Sequence, residues 1–165
     1  MSALTGEPAP QNGYHAGHVA LLLASYRALL GRDLLPTGGD TVETARLAFE
    51  APFFLASHDT APDPVLNYGN GTALDLFEMS WEQFTAIPSR LTAEAPLQEE
   101  RARLLEAVSR QGFIEDYSGI RISRSGRRFR IARATVWNVR GPAGEVVGQA
   151  ATFAEWEELE KARTR

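Results

Sequence analysis

The last third of the chain leaves it few folds. Residues Phe113 to Ser123 and Arg127 to Val139 read as long strands joined by the hairpin turn Arg124-Ser125-Gly126, and a Gly-Pro-Ala-Gly-Glu turn leads from Gly141 into a third strand at Val146. On the middle strand Phe129, Ile131, Thr135, Trp137 and Val139 share one parity, and Ala132, Ala134 and Val136 the other. Neither set is plainly polar, so both faces of this strand need cover. The next strand repeats the split, with Val147, Gln149, Ala151 and Phe153 set against Val146, Gly148, Ala150 and Thr152. A run of small residues on two consecutive strands suits a closely packed helix.

Upstream, Val19, Leu22, Leu23, Tyr26, Leu29 and Leu30 form one apolar stripe of a helix that Gly31 stops. Pro36 and the Gly38-Gly39 pair break the linker that follows, and Asp40 with Glu43 has the form of a capping box opening a helix to Phe49. Pro52–Ser57 and Val65–Tyr68 read as two short strands separated by a turn-rich segment. Asn70 is placed to cap a short helix that buries Leu74 and Phe77. Ser80 and Gln83 make another capping box, starting a helix that carries Trp81 and Phe84 and ends before Pro88. The helix from Leu97 to Gln111 aligns Leu97, Arg101, Leu104, Leu105 and Val108, with Gly112 beyond its end. The order predicts an α+β fold: a five-stranded antiparallel sheet, helices packed on one face, and an additional N-terminal helix. That helix is expected to cover the other face, either in its own chain or across a homodimer, or to meet a partner protein. The expected divisions are a flexible leader with the N-terminal helix and linker over 1–44, the sheet domain over 45–156 and a charged, solvated tail over 157–165.

Composition removes several classes of function. The chain has 165 residues, a formal charge of −4 and no cysteine. Disulfides, thiolate metal sites, thiol nucleophiles and flavin–thiol photochemistry are therefore excluded, and no cofactor is identifiable. The acidic balance opposes general nucleic-acid binding. The stretch from Val19 to Leu30 is too short to cross a bilayer, and the polar start has no secretory pattern, so the expected setting is cytoplasmic.

Several strings in the sequence are also familiar. PSRLTAE (Pro88–Glu94), YSGIRIS (Tyr117–Ser123), SGRRF (Ser125–Phe129) and GQAATF (Gly148–Phe153) closely resemble the bacterial MEKHLA domain proteins, over roughly Phe53 to Trp156. That family is similar to PAS domains, which implies a sheet in spatial order 2-1-5-4-3 and a sensory or interaction module. The hexapeptide that names the family, and the homeodomain and zipper of its plant relatives, do not occur here. No catalytic residues come with the resemblance.

Several constellations invite a chemical reading. Ser57-His58-Asp59 has the letters of a hydrolase triad, but consecutive strand residues face opposite sides. His15 and His18 share a helix face without a third metal ligand, and read as a solvated helix start. Gly69-Asn70-Gly71 follows a strand but lacks the parallel unit of a dinucleotide site. Glu115 and Asp116 are separated by alternation, leaving one facing solvent. The arginines between Arg121 and Arg133 form either a charged hairpin that discourages edge pairing or an anion site. No catalytic or metal-binding residue emerges.

The remaining candidate is a small-molecule cavity between sheet and short helices. Phe77, Tyr117 and Trp137 supply its apolar wall, and Arg133, Thr135 and Gln149 its polar handles by strand parity. Arg133 and Gln149, if inward, are costly unless a ligand or partner satisfies them. The alternatives are an enzyme using the same cavity and a purely structural dimerisation module.

Overall fold

A computed structural model describes residues 4–36, 39–93 and 98–159. Helix α1 (Ala16–Leu30) and helix α2 (Thr41–Glu50) precede strands β1 (Phe54–His58) and β2 (Leu66–Gly69). Helices α3 (Gly71–Phe77), α4 (Trp81–Phe84) and α5 (Gln98–Gln111) lead to β3 (Phe113–Ile122), β4 (Arg128–Arg140), β5 (Val146–Phe153) and β6 (Glu155–Glu158). The antiparallel sheet runs β2-β1-β5-β4-β3, with β6 pairing to β4.

Local chemistry explains most boundaries. Asn70 is fully buried and uses its whole amide: Oδ1 accepts from Ala73 N at 3.0 Å and Leu55 N at 3.2 Å, while Nδ2 donates to Phe53 O at 2.8 Å and Ala48 O at 3.0 Å. One side chain thus ties β1, α2 and the start of α3 together. Ser80 and Gln83 form the expected capping box. Asp40 caps α2 by accepting from Val42 N, but Glu43 pairs with Arg46 and does not complete a box. Of the stripe expected on α5, Leu104 and Val108 are buried; Leu97 lies outside the described residues, as do the side chains of Arg101 and Leu105. Met1–Ala3, Thr37–Gly38 and Glu160–Arg165, parts of the expected leader, linker and tail, also lie outside them. Within the expected leader, Pro10–His15 forms a 3-10 turn, and Leu4 packs on the core. The first two residues of the expected tail, Glu157 and Glu158, end strand β6 with their side chains exposed. They sit across from Arg130 and Phe129, and ion pairs join Glu155, Glu157 and Glu158 to Arg133, Arg130 and Arg127. Three arginines of the hairpin, Arg127, Arg130 and Arg133, therefore meet acidic side chains of the same chain along a pairing edge.

The sheet departs from strict alternation along one line. Asp116 on β3 and Arg133 on β4 adopt left-handed backbone, with φ of 55° and 54°, and a bend at Ala154 divides β5 from β6. Arg133 falls opposite Ala154, because Thr135 pairs with Thr152 on one side and Ala132 with Glu155 on the other. On β3 the irregularity lies between Ile114↔Val136 and Tyr117↔Ala134. Side chains three apart, not two, therefore share a face across this crease. Ile131 and Ala134 both line the inner face, and the rings of Phe153 and Trp156 meet at 5.9 Å.

The crease sets which side chains face which helices. Helix α5 places Leu104 and Val108 against Val136 on the inner face. Helix α1 lies on the outer face of its own chain's sheet. Trp137 Nε1 donates to Leu22 O at 3.1 Å, its ring meets Tyr26 edge-on at 4.9 Å, and Arg140 N donates to Ser25 Oγ at 2.9 Å. Ala150, directly across from Trp137, supplies the small surface the helix needs. On β4 the expectation reverses. The outer residues there are Thr135, Trp137 and Val139, not the small set, because the crease has exchanged the faces.

Candidate functional site

The inner face of the sheet and helices α3 to α5 line a cavity of about 70 Å³. Phe77 projects into it from α3, with Phe54 at 5.9 Å and Phe129 at 5.3 Å between ring centroids. Phe84 closes the side near β2, where Gly69 is required: a Cβ there would sit 2.6 Å from the Phe84 ring. Such a volume holds roughly five waters. Among the described residues no carboxylate lines it.

The six residues read from the sequence divide evenly. Phe77, Tyr117 and Gln149 line the cavity. Gln149 Nε2 donates to Asn138 Oδ1 at 3.0 Å, whose Nδ2 donates to Val108 O at 3.1 Å. The Oε1 of Gln149 is buried without a partner among the described residues. Trp137 and Thr135 instead face outward, beneath and beside α1, because the left-handed residue at Arg133 inverts the alternation beyond it. Arg133 itself is a surface residue with its side chain 76% exposed, 3.7 Å from Glu155.

The inward arginine is Arg121, which sequence reasoning placed only in the hairpin. Its residue is 8% exposed and lines the cavity. Nη1 donates to Ile120 O at 3.1 Å and Nη2 to the Tyr117 hydroxyl at 3.2 Å, with the guanidinium 5.5 Å from the Tyr117 ring centre. Both side chains cross Gly119, where a Cβ would meet the Tyr117 oxygen at 2.7 Å. The available signal was period two on β3 alone: Tyr117, Gly119 and Arg121 share one parity on the hairpin side of the crease.

The other constellations are engaged in local contacts. Ser57 Oγ donates to Asn67 Oδ1 at 2.6 Å and accepts from His18 Nε2 at 2.9 Å. His58 Nδ1 instead donates to the carbonyl of Asp59. His18 is half-buried rather than solvated; burial, reinforced by the neighbouring His15, pushes its pKa down to about 4. His15 stacks on Trp81 at 5.5 Å. Glu115 and Asp116 are both exposed, and Glu115 pairs with Arg32 at 2.6 Å. No group of three or more metal-ligating side chains occurs among the described residues. No helix among them is long and apolar enough to cross a membrane.

This sheet order, with helices over the inner face, defines the PAS-type fold. A PAS domain from Colwellia psychrerythraea superposes with a TM-score of 0.60 at 16% identity, over 73% of this chain and 97% of that one. An RNA-binding Light-Oxygen-Voltage receptor gives 0.59 at 22% identity, over 72% of this chain and 34% of that one. A Light-Oxygen-Voltage domain studied with a flavin analogue gives 0.56 at 12% identity, over 72% and 86%. The MEKHLA domain model matches residues 16–158, and the chain belongs to that family. The match takes in α1 as well as the sheet. No curated protein matches the sequence.

A three-ring flavin needs a pocket of ordinary ligand size, roughly 300 Å³ or more. The cavity offers about 70 Å³, and the chain has no cysteine to form a thiol adduct.

Proposed function

We propose that this domain is a non-catalytic sensor that binds a small molecule in the inner cavity and signals through α1 on the opposite face of the same strands. The observation carrying this reading is the alternation on β4 beyond the crease. Ala134 and Val136 touch the cavity, while Trp137, the next residue, holds α1. A ligand that displaces this strand moves the seat of the helix. Among the described residues no carboxylate lines the cavity, and the histidine that does, His58, has its Nδ1 committed to the Asp59 carbonyl, which favours binding over acid–base chemistry. A partner or second copy would meet α1 on its exposed side, at Ala20, Ala24 and Ala28. Native mass spectrometry of freshly purified protein, paired with hydrogen exchange, tests the reading. A bound small molecule is expected, and its removal should change exchange at Leu22, Leu23 and Tyr26. Replacing Ala134 by Val should lower occupancy by filling the cavity. Unchanged α1 exchange between occupied and emptied protein would refute the coupling.

A further inference from the structure

Resting on that reading, we propose that the cavity recognises a short-chain carboxylate, bound by the Arg121 guanidinium and the Tyr117 hydroxyl. The pairing of arginines across the molecule points to Arg121. Arg27, Arg32, Arg46, Arg90, Arg127, Arg130 and Arg133 each lie within ion-pair distance of an acidic side chain. Arg121 is more deeply buried than any of these, yet among the described residues it meets a backbone carbonyl and a phenol and no carboxylate. A buried cation without a counter-charge is costly, whereas surface pairs contribute little, so the distribution is the reverse of what stability alone would favour.

The geometry supplies the donors an anion needs. Among the described residues, two of the five guanidinium N–H groups are engaged, leaving three. The Tyr117 oxygen accepts from Arg121, so its own proton remains to be donated. Gly119 lets both side chains lie flat across β3, holding guanidinium and hydroxyl together at the cavity wall. A guanidinium edge matches a carboxylate with two parallel hydrogen bonds. The rest of the wall decides the tail. Phe77, Phe84, Ile131 and Val136 give the tail an apolar wall, and although Ser57, His58, Thr92 and Gln149 also line the cavity, no second arginine or lysine does so among the described residues, which disfavours inorganic phosphate and favours a short alkyl chain. A volume of about 70 Å³ limits the ligand to roughly five or six non-hydrogen atoms, the size of propionate or butyrate.

The test titrates the full chain with sodium propionate against sodium chloride at equal ionic strength, by calorimetry and ligand-observed NMR. Propionamide, of the same shape but uncharged, and inorganic phosphate are run in parallel. Saturable propionate binding is expected, at least tenfold tighter than propionamide and absent for phosphate. Arg121→Met should weaken propionate at least tenfold, and Tyr117→Phe severalfold. If Arg121→Met fails to fold, Tyr117→Phe and the propionate–propionamide ratio on the unaltered protein still decide. Equal binding of propionamide, undiminished binding by Arg121→Met, or phosphate in place of propionate would each overturn the carboxylate while leaving a ligand cavity intact. Binding of none of the probes overturns the carboxylate, and only an empty native mass spectrum would then remove the cavity reading as well.

Discussion

Replacing Arg133 by Gly and by Val separates a built crease from an incidental distortion. Arg133 holds φ of 54° in the middle of a thirteen-residue strand. A non-glycine residue in that region costs about 1 to 2 kcal/mol. Glycine removes the cost but loses about 0.4 to 1 kcal/mol through greater freedom of the unfolded chain. The ion pair lost with the arginine is 3.7 Å long and more than half exposed at both ends, so it contributes at most about 0.5 kcal/mol. Arg133→Gly should therefore lie within about 1 kcal/mol of the parent. Valine has no such relief. Its branched Cβ raises the strain, and relaxing the strand to regular alternation would drive Trp137 off α1 and into the cavity. Arg133→Val should lose about 1 to 2 kcal/mol, lowering the melting temperature by several degrees. Urea titrations followed by tryptophan fluorescence, with m compared between variants, measure the difference. If Val is as stable as Gly with the same m, the left-handed residue does not hold the crease and the assignment of faces fails.

The buried polar groups give three more tests. Asn70→Ala removes the partner of the Leu55 and Ala73 amides and of the Phe53 carbonyl, leaves the Ala48 carbonyl only its bond from Ala51 N, and should cost at least about 3 kcal/mol in chemical denaturation. Trp137→Phe removes the hydrogen bond to Leu22 and part of a fully buried ring, a loss of about 2 kcal/mol, and should expose α1 to hydrogen exchange without abolishing cavity binding. His18, with its pKa pushed from 6.5 down to about 4, stays neutral in the folded protein while the unfolded chain takes up a proton. Stability should thus be unaffected by this group above pH 6.5 and fall progressively between 6.5 and about 4, by about 1 to 3 kcal/mol in all. His18→Gln should flatten that window. It should leave the separate loss below pH 4.5 that comes from Glu78, whose carboxylate is held down to about 2 by hydrogen bonds from Ser123 and Ser125.

The elements and their caps were legible because their signals are local. The α1 stripe, the amide of Asn70, the Ser80–Gln83 box and the Gly126 turn each act within a few residues. The strand β6 was legible only in part: Glu155 and Trp156 read as the end of the last strand, whereas Glu157 and Glu158 read as the start of a charged tail until Arg130 and Arg127 are placed against them. The crease was hidden for a related reason. Arg and Asp are ordinary residues, and nothing in their letters announces left-handed backbone; the cause lies in three strands bending together at Asp116, Arg133 and Ala154. Counting by twos through Arg133 therefore places Phe129 and Ile131 correctly and misplaces Thr135 and Trp137. The error in parity on this strand is confined to Arg133 at the crease and the residues beyond it.

That same inversion is what leaves room for a ligand. Regular alternation from Ile131 would point Arg133, Thr135 and Trp137 inward and send Ala134 and Val136 beneath α1. An indole facing Phe77 would occupy the space between sheet and helices, and a flat α1 would rest on alanine without the Nε1 hydrogen bond to Leu22 that now seats it. With the crease, the small residues Ala134 and Ala151 line the cavity and the large one anchors the helix. Arg121, on the hairpin side of the crease, keeps its inward parity, while Arg133, at the crease itself, is expelled to Glu155 and solvent. One left-handed residue per strand on β3 and β4 thus decides where the cavity lies, which arginine faces it, and which side chain carries a change there to the outer helix.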